Sequence, residues 1–293
     1  MIDLTNLLAQ QGSVAVSIVL STLAYSSPLI LCALGGLFSE RSGVVNIGLE
    51  GMMLSAACAS ALAAQATGSA AIGLVAGLLA ATLLALLHWL LTQGYQIDHI
   101  VSGMGINALA LGGTGLVFKS LPDINSKEMA SFPAGFYYGL AWLAAAVIWW
   151  MLRDTRPGLR LTAVGNDPDK SRQMGLKPVR IRFQALLGTG LLTGLAGTLV
   201  ASSAGRFSED MTAGRGYIAL AALILGAWKP WPTLAAALAF GFFGSLQLSL
   251  QGQSPMGIQI PDQVWQALPY LITLVALAGT LGKGKAPSGL GKP

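Results

Sequence analysis

The chain has 293 residues, of which 54% are hydrophobic and only 10% are charged, and its formal net charge is +5 at pH 7. So few charges could not cover the surface of a soluble domain of this length, which excludes a soluble globular protein. The basic residues are gathered between apolar runs and are not interleaved with aromatic residues, so the positive charge indicates membrane topology, not binding of nucleic acid.

Nine apolar segments have the length of a membrane span or come close to it. They lie at residues 14–37, 51–65, 70–92, 100–118, 137–152, 183–204, 217–228, 233–250 and 264–282. Three of them, at 51–65, 137–152 and 217–228, are shorter than the roughly 20 residues of a full crossing. Such segments can be broken or re-entrant where protein surrounds them. The sequence therefore predicts an all-α, polytopic membrane bundle of about nine spans (eight to ten), forming a single transmembrane domain over residues 1–293.

The distribution of Lys and Arg predicts an outside N-terminus and an inside C-terminus, since positive residues are retained on the cytoplasmic side. In this orientation 13 of the 17 basic residues lie in inner loops. The four outer ones are Lys119, Lys127, Arg206 and Arg215. Eight of the inner ones lie between Arg153 and Arg182, which predicts one large cytoplasmic loop over residues 153–182.

Several kinds of chemistry are missing from the sequence. There is no G-x-x-x-x-G-K-[ST] phosphate loop, so we expect no ATP to bind to this chain. The two histidines, His88 and His99, are eleven residues apart and have no Cys or paired carboxylates beside them, so we expect no metal site. Cys32 and Cys58 fall inside apolar segments and are expected to be small packing residues. The sequence predicts a protein that is not an enzyme and has no cofactor of its own.

Within the large loop, the sequence predicts a short helix at about residues 166–175. Asp167 suits the N-cap, Pro168 the first helical position and Gly175 a left-handed stop. A helix of two turns is marginal alone and needs support from the protein or from a partner. It is either a connector or a docking helix with Met174 exposed. The residues assigned to docking are Asp167, Pro168, Asp169, Lys170, Ser171, Arg172, Gln173, Met174 and Gly175.

Three blocks of sequence resemble one family of transport proteins. They are E-R-S-G-V-V-N-I-G-L-E-G at Glu40–Gly51, I-V-S-G-M-G-I-N-A-L-A-L-G at Ile100–Gly112, and A-V-G-N-D-P from Ala163 followed by G-R-G-Y-I-A-L-A-A-L-I-L-G-A-W-K-P at Gly214–Pro230. With these blocks the chain resembles the permease subunit of an ATP-binding-cassette (ABC) importer of the branched-chain amino acid, ribose and nucleoside group. It is most similar to the shorter permease of importers for nucleosides or simple sugars. Lys170 and Ser171 stand where the family usually has paired small residues.

The resemblance implies partners for the chain. It implies a second homologous permease that completes the path as a heterodimer, cytoplasmic ATPase subunits that bind and hydrolyse ATP, and an external substrate-binding protein. The coupling helix at 166–175 would then receive the movement of the ATPase. The resemblance also implies a multi-pass protein of the inner or cytoplasmic cell membrane, surrounded by lipid.

Polar side chains in or beside the spans are the candidates for the translocation path, because such groups are costly in hydrocarbon and tend to face a cavity. They are Asn46, Glu50, Asn107 and Gln247. Each also has a structural interpretation: Glu50 could bond backbone N–H groups at a helix start, Asn46 could cap that helix, and Asn107 could bridge two helices. Both interpretations stay open at this point.

Two other functions remain as alternatives to a nucleoside importer. One is a simple-sugar importer, on the same resemblance. The other is an ion-coupled secondary transporter, which would need carboxylates within the spans, where Glu50 and Asp98 stand only at boundaries.

Overall fold

The computed structural model describes residues 4–121, 128–250 and 285–292, together with the single positions 264, 267 and 271, and it describes side chains from residue 16 onward. Within these ranges every regular element is a helix. The helices are α1 Leu4–Arg41, α2 Leu49–Thr67, α3 Ala70–Trp89, α4 His99–Ser120, α5 Ala134–Asp154, α6 Arg156–Asn166, α7 Pro168–Gln173, α8 Pro178–Ala204, α9 Arg215–Leu225 and α10 Pro230–Leu250. A π-helical turn, Leu90–Gly94, extends α3.

Eight of the nine predicted apolar segments coincide with described helices, namely α1 to α5 and α8 to α10. Six of these helices are long and apolar enough to cross a membrane: α1 over Val16–Arg41, α3 with its π-helical turn, α4, α5, α8 and α10. Among the described residues the number of candidate spans is therefore six, against the nine predicted for the whole chain. Helix α2, with 19 residues, is not among the candidate spans, and α9 has only 11 residues. The segment predicted at 264–282 lies outside the described residues, apart from positions 264, 267 and 271.

The helices pack around α1 and α8. Helix α1 contacts α8, α9 and α10, while α8 lies against α2 and α3. Glycines along α8 permit these close contacts, as the small-residue pattern of the sequence suggests. A Cβ atom at Gly194 would lie 2.9 Å from the Cα atom of Leu78 on α3, and Gly190 and Gly197 meet Thr82 and Met53 in the same way. The glycine-rich α8 is therefore a packing helix.

Two buried histidines fix the turn between α1 and α2. The Nε2–H group of His88 on α3 donates to the carbonyl of Val45, and its Nδ1 atom lies 2.8 Å from the hydroxyl of Ser102 on α4. The backbone N–H of Val45 donates to Nδ1 of His99. The fold brings the two rings to a centroid separation of 6.4 Å, although they are eleven residues apart in the sequence. Their ring nitrogens hold the turn between the helices.

At one end of the bundle, the C-terminal segment 285–292 joins three parts of the chain. The N–H of Gly289 donates to the carbonyl of Gly165 on α6, and that of Gly291 donates to the carbonyl of Gly43. Arg182 on α8 is fully buried there and donates to the carbonyls of Ser42 and Lys292. The turn after α1, the start of α8 and the C-terminal segment therefore lie together.

The segment predicted as a large loop, 153–182, is mostly helical. Helices α6 and α7 occupy residues 156–166 and 168–173, and α8 already begins at Pro178. Thr155 caps α6 and Asp167 caps α7. The prediction missed α6 because its Arg and Gly residues break the apolar pattern, whereas a side-chain cap and Pro157 near its start favour the helix.

The contact between α8 and α3 predicts the effect of a larger side chain. Gly194→Val should lower the free energy of unfolding by about 1–3 kcal/mol, the usual cost of overpacking a tight contact. Thermal unfolding of the purified protein in detergent would measure it. The matched control is Gly113→Val on α4, where nothing lies within 4 Å of an added Cβ. Equal melting temperatures for the two variants would contradict the account of α8 packing.

Candidate functional site

Glu50 joins the beginnings of two helices. It lies in the first turn of α2 and is only 7% exposed. Its Oε1 atom accepts hydrogen bonds from the Thr212 hydroxyl (2.6 Å) and from the N–H of Gly214 (2.9 Å), and its Oε2 atom accepts one from the N–H of Gly216 (2.5 Å). These N–H groups lie at the start of α9, where helices leave backbone donors without partners. Glu50 thus bonds a helix start, as its structural interpretation has it, but the helix is α9 and not its own.

A second buried carboxylate holds the other end of α9. Glu40 lies at the end of α1, and its Oε2 atom accepts a hydrogen bond of 2.5 Å from the indole N–H of Trp228, just after α9. Glu40 is 2% exposed. The two carboxylates belong to one sequence block, ten residues apart, and α9 has 11 residues. The block from Glu40 to Glu50 therefore contacts α9 at both ends.

The backbone on either side of α9 adopts left-handed conformations at residues other than glycine. Asp210 and Ala213 precede the helix with φ values of 53° and 45°, and Ala227 and Trp228 follow it with 52° and 55°. Each such residue costs on the order of 1–3 kcal/mol unless the surroundings hold it. Backbone strain of this kind concentrates at sites with a function. Local backbone hydrogen bonds and the carboxylates of Glu40 and Glu50 hold these segments here.

Asn107 completes the cluster from α4. Its amide nitrogen donates to the carbonyl of Ile47 (3.0 Å) and to the hydroxyl of Tyr217 on α9 (2.9 Å), and its amide oxygen accepts from the N–H of Gly51 (2.8 Å). Asn107 thus bridges α4, α2 and α9. A Cβ at Gly51 would lie 2.9 Å from the Cα of Asn107, so the helices can meet there only at a glycine.

The two remaining predicted path residues are placed differently. The side-chain oxygen of Asn46 accepts from the N–H of Gly48, the residue that precedes α2, and no side chain caps α2 itself. Asn46 therefore shapes the turn and is not the helix cap. Gln247 lies on α10 and has no described bond to Glu50. It borders a cavity on the other side of α9.

This cavity has a volume of about 430 Å³ and lies between α1, α9 and α10. Tyr25, Arg215 and Gln247 supply its polar groups, and Leu29, Ile218 and Phe240 are among its apolar walls. Tyr25 is near the middle of the Val16–Arg41 span, and Asn107 is near the middle of α4. The polar cluster therefore lies at half the length of the spanning helices, and the cavity extends from there to Gln247, close to Leu250, the last described residue of α10.

Helix α7 occupies the position predicted for the docking helix. The Asp167 carboxylate accepts from the N–H of Lys170 at 3.0 Å, and this hydrogen bond holds the pKa of Asp167 below its ordinary value. Gly175 follows the helix with φ +79°. Pro168 and Ser171 are buried, while the side chain of Met174 is 79% exposed. The remaining assigned residues, Asp169, Lys170, Arg172, Gln173 and Gly175, are exposed as well.

The sequence did not predict the positions of three residues that the structure buries or half-buries. Glu40 was quoted only as part of a block, Arg215 was assigned to an outer loop, and Arg182 to the cytoplasmic loop. The structure places Arg215 in α9 and Arg182, fully buried, in α8. The signal for Arg215 was present, because a single Arg between two glycines directly precedes the apolar run of α9. Two aromatic residues, Tyr137 on α5 and Phe207 after α8, are buried in the core.

Several known transport proteins are similar to this chain along most of its length. The guanosine ABC transporter permease protein NupQ of Bacillus subtilis is 38% identical over 94% of this chain and 95% of its own. The nucleoside ABC transporter permease protein NupC of Lactococcus lactis is 36% identical over 92% and 94%. TsgC13 of Haloferax volcanii, named as a candidate glucose ABC transporter permease, is 30% identical over 91% and 92%. The solved structure of a metal-chelate type ABC transporter in an inward-facing conformation shares the fold, with a TM-score of 0.55 at 17% identity over 95% and 90%.

The fold and these relatives define a permease subunit of an ABC transporter, a multi-pass protein of the cell membrane. More narrowly, the chain belongs to the family of permease components of the branched-chain amino acid transport system, which it matches over residues 18–277. Permeases of this family work with another permease, with ATPase subunits and with a binding protein.

The hydrogen bonds of Glu50 predict that its substitution lowers the free energy of unfolding. In Glu50→Gln one acceptor oxygen becomes an NH₂ group that faces a donor, so the free energy of unfolding should fall by about 1–3 kcal/mol. The matched control is Glu209→Gln, whose carboxylate is 47% exposed and pairs with Lys119 across 3.6 Å, a surface contact worth less than ~1 kcal/mol. Thermal unfolding in detergent compares the two. A drop for Glu209→Gln as large as for Glu50→Gln would show that Glu50 has no special role.

Proposed function

We propose that the chain is the permease of an ATP-driven importer of nucleosides, and that the substrate passes beside the start of α9. The observation that carries the proposal is the polar cluster of Glu50, Asn107 and Tyr217, which lies at half the length of the spanning helices and adjoins the cavity. Polar groups at that depth mark substrate pathways in membrane proteins. The two relatives named for nucleosides, each aligned over more than nine-tenths of both chains, support the substrate class.

The proposed topology has about nine spans, with the N-terminus outside and the C-terminus inside. Hydrogen bonds support the assignment of loops to sides. They join the turn after α1, the start of α8 and the C-terminal segment at one end, all of which the positive residues assign to the cytoplasm. Toward the opposite face, the N–H of Met129 donates to the carbonyl of Gly205, which joins two of the proposed outer loops.

Helix α7 is proposed to be the contact with the ATPase. It lies at the proposed cytoplasmic end, since Gly289 of the C-terminal segment bonds Gly165 and packs against Pro168. Its buried face, with Pro168 and Ser171, is held by the permease, and its exposed face is free for a partner. A capped helix anchored on one side can transmit a push to the bundle, which a flexible linker could not.

The path is proposed to be completed by a second, homologous permease. The second permease would supply the facing wall of the path. This chain lacks a phosphate loop, so ATP is proposed to bind to separate ATPase subunits. No metal or cofactor is assigned to this chain. An external binding protein would then deliver the substrate. Purification of a functional complex with two copies of this chain and no second permease would contradict the heterodimer.

The exposure of Met174 predicts a defect in coupling. Met174→Asp should reduce co-purification with the ATPase by about tenfold or more, because it places a charge in an apolar contact, where burial of an unpaired charge costs several kcal/mol. Pull-down of the ATPase from membranes measures the loss. The matched control is Leu121→Asp, since Leu121 is 47% exposed and follows α4 at the proposed outer end.

Two outcomes of this pull-down are informative. Retained ATPase with Leu121→Asp and lost ATPase with Met174→Asp, at equal membrane abundance, support α7 as the contact. Normal ATPase binding by Met174→Asp, and also by a variant with residues 167–174 replaced by a Gly/Ser linker, would place the contact elsewhere.

Uptake tests the function itself. Cells with and without this chain are supplied with radiolabelled guanosine, other nucleosides and glucose, and initial rates are compared before and after ATP depletion. The proposal expects nucleoside uptake that needs both the chain and ATP. Glucose uptake in place of nucleoside uptake would favour the sugar importer, in line with the Haloferax relative. Uptake that persists without ATP but collapses with the ion gradient would indicate a secondary transporter.

A further inference from the structure

Arg215 carries a positive charge to the middle of the bundle. It is the first residue of α9, is half-buried and borders the 430 Å³ cavity with Tyr25 and Gln247. An ionisable side chain at such a depth is costly in lipid and is kept where it faces a cavity or a partner. We propose that Arg215, with Tyr25 and Gln247, forms a binding site for an uncharged solute that carries hydrogen-bond acceptors on a planar ring, as a 6-oxopurine nucleoside does. This inference rests on the proposed function.

Within the part of the chain that the structure describes, Arg215 has no ion pair that would explain its position. None of the four ion pairs among the described residues involves it. The nearest buried carboxylate, Glu50, already accepts three hydrogen bonds, from Thr212, Gly214 and Gly216. Glu50 is thus engaged by one hydroxyl and two backbone N–H groups of the segment that carries Arg215, and the guanidinium faces the cavity that it borders.

Tyr25 positions the guanidinium. The central carbon of the Arg215 guanidinium lies 5.5 Å from the centroid of the Tyr25 ring, within the range of a cation–π contact. The contact joins the start of α9 to the middle of α1 without consuming any of the five N–H donors of the guanidinium. Arg215 is therefore oriented and still has free donors.

The remaining walls define the chemistry of a ligand. Gln247 adds an amide that both donates and accepts, and Phe240, Leu29 and Ile218 add apolar surface for the faces of a ring. The described lining contains no carboxylate, so a cationic solute would meet only the charge of Arg215 and be repelled. Adjacent acceptors on a planar edge match the fork of the guanidinium, as the O6 and N7 atoms of guanine do.

The experiment uses the complete importer in cells that lack the native copy of this chain. Saturating rates of guanosine uptake, normalised to the amount of permease in the membrane, are measured for Arg215→Gln and Arg215→Lys. We expect the rate to fall at least about tenfold for Arg215→Gln, as for the loss of a hydrogen bond to a charged group. Arg215→Lys should stay well below wild type, because Lys keeps the charge but loses the fork. The substrate concentration for half-maximal uptake should not change, since delivery precedes this site.

The matched control is Arg206→Gln, which removes an exposed Arg nine positions earlier in the same segment. It should leave the rate unchanged. Tyr25→Leu and Gln247→Leu alter the site from α1 and α10. They test whether the site acts in transport if Arg215→Gln fails to reach the membrane. A fall in both supports the site.

Three results would overturn the inference. Wild-type rates for Arg215→Gln, or for both Tyr25→Leu and Gln247→Leu, would show that the site does not act in transport. A wild-type rate for Arg215→Lys would show that charge alone suffices and that no fork recognises the substrate. Absence of nucleoside uptake by the wild type would remove the proposed function as well, whereas the first two results leave that function standing.

Discussion

The structure depends on how α9 is held. With 11 residues this helix is about 16 Å long, half the ~30 Å hydrocarbon thickness, so one of its ends must lie within the bundle. The backbone donors at that end, the start of α9, have no partner within the helix and need an acceptor from elsewhere in the protein. Glu50 supplies it with both carboxylate oxygens, and Glu40 fixes the other end through Trp228. Together with local backbone hydrogen bonds, these two carboxylates hold the strained residues on either side of α9.

This constraint links the site to its surroundings. The Glu50 carboxylate accepts from Thr212, Gly214 and Gly216, and none of the ion pairs among the described residues involves Arg215, which borders the cavity. Glu40 ends α1 next to the turn that the C-terminal segment ties to α6, and α6 leads directly into α7. A displacement of α7 therefore has a short, packed route to the far end of α9. We propose that this route carries movement from the ATPase to the path.

The sequence predicted what depends on local chemistry. Long apolar runs predicted the helices, and Asp167, Pro168 and Gly175 predicted both ends of α7, because caps and left-handed stops act within a few residues. The hydrogen bonds of Asn107 between helices and the close packing at the glycines of α8 agree with the general behaviour of polar and small residues in membrane helices. The sequence resemblance to importer permeases is confirmed by the family match.

The features that the sequence did not predict depend on contacts between distant segments of the chain. Glu50 was assigned to the start of its own helix, but its partners lie more than 160 residues away. Arg215 was assigned to an outer loop because counting spans says nothing about a helix that begins within the bundle. The count of nine included α2 and α9, although their segments at 51–65 and 217–228 are shorter than a full crossing and can be re-entrant. No pattern within a window of the sequence shows which distant residues hold the ends of α9.

We propose that a water-accessible path for nucleosides runs beside the start of α9. This proposal is tested most directly by the reactivity of a cysteine at Gln247, in a chain whose buried Cys32 and Cys58 have been replaced by Ala. We expect Gln247→Cys in the assembled importer to react with a water-soluble thiol reagent and nucleoside transport to slow that reaction. A cysteine at Phe242, exposed on the same helix but outside the cavity, should not react. An unreactive Gln247→Cys, or one as insensitive to nucleoside as Phe242→Cys, would contradict the account.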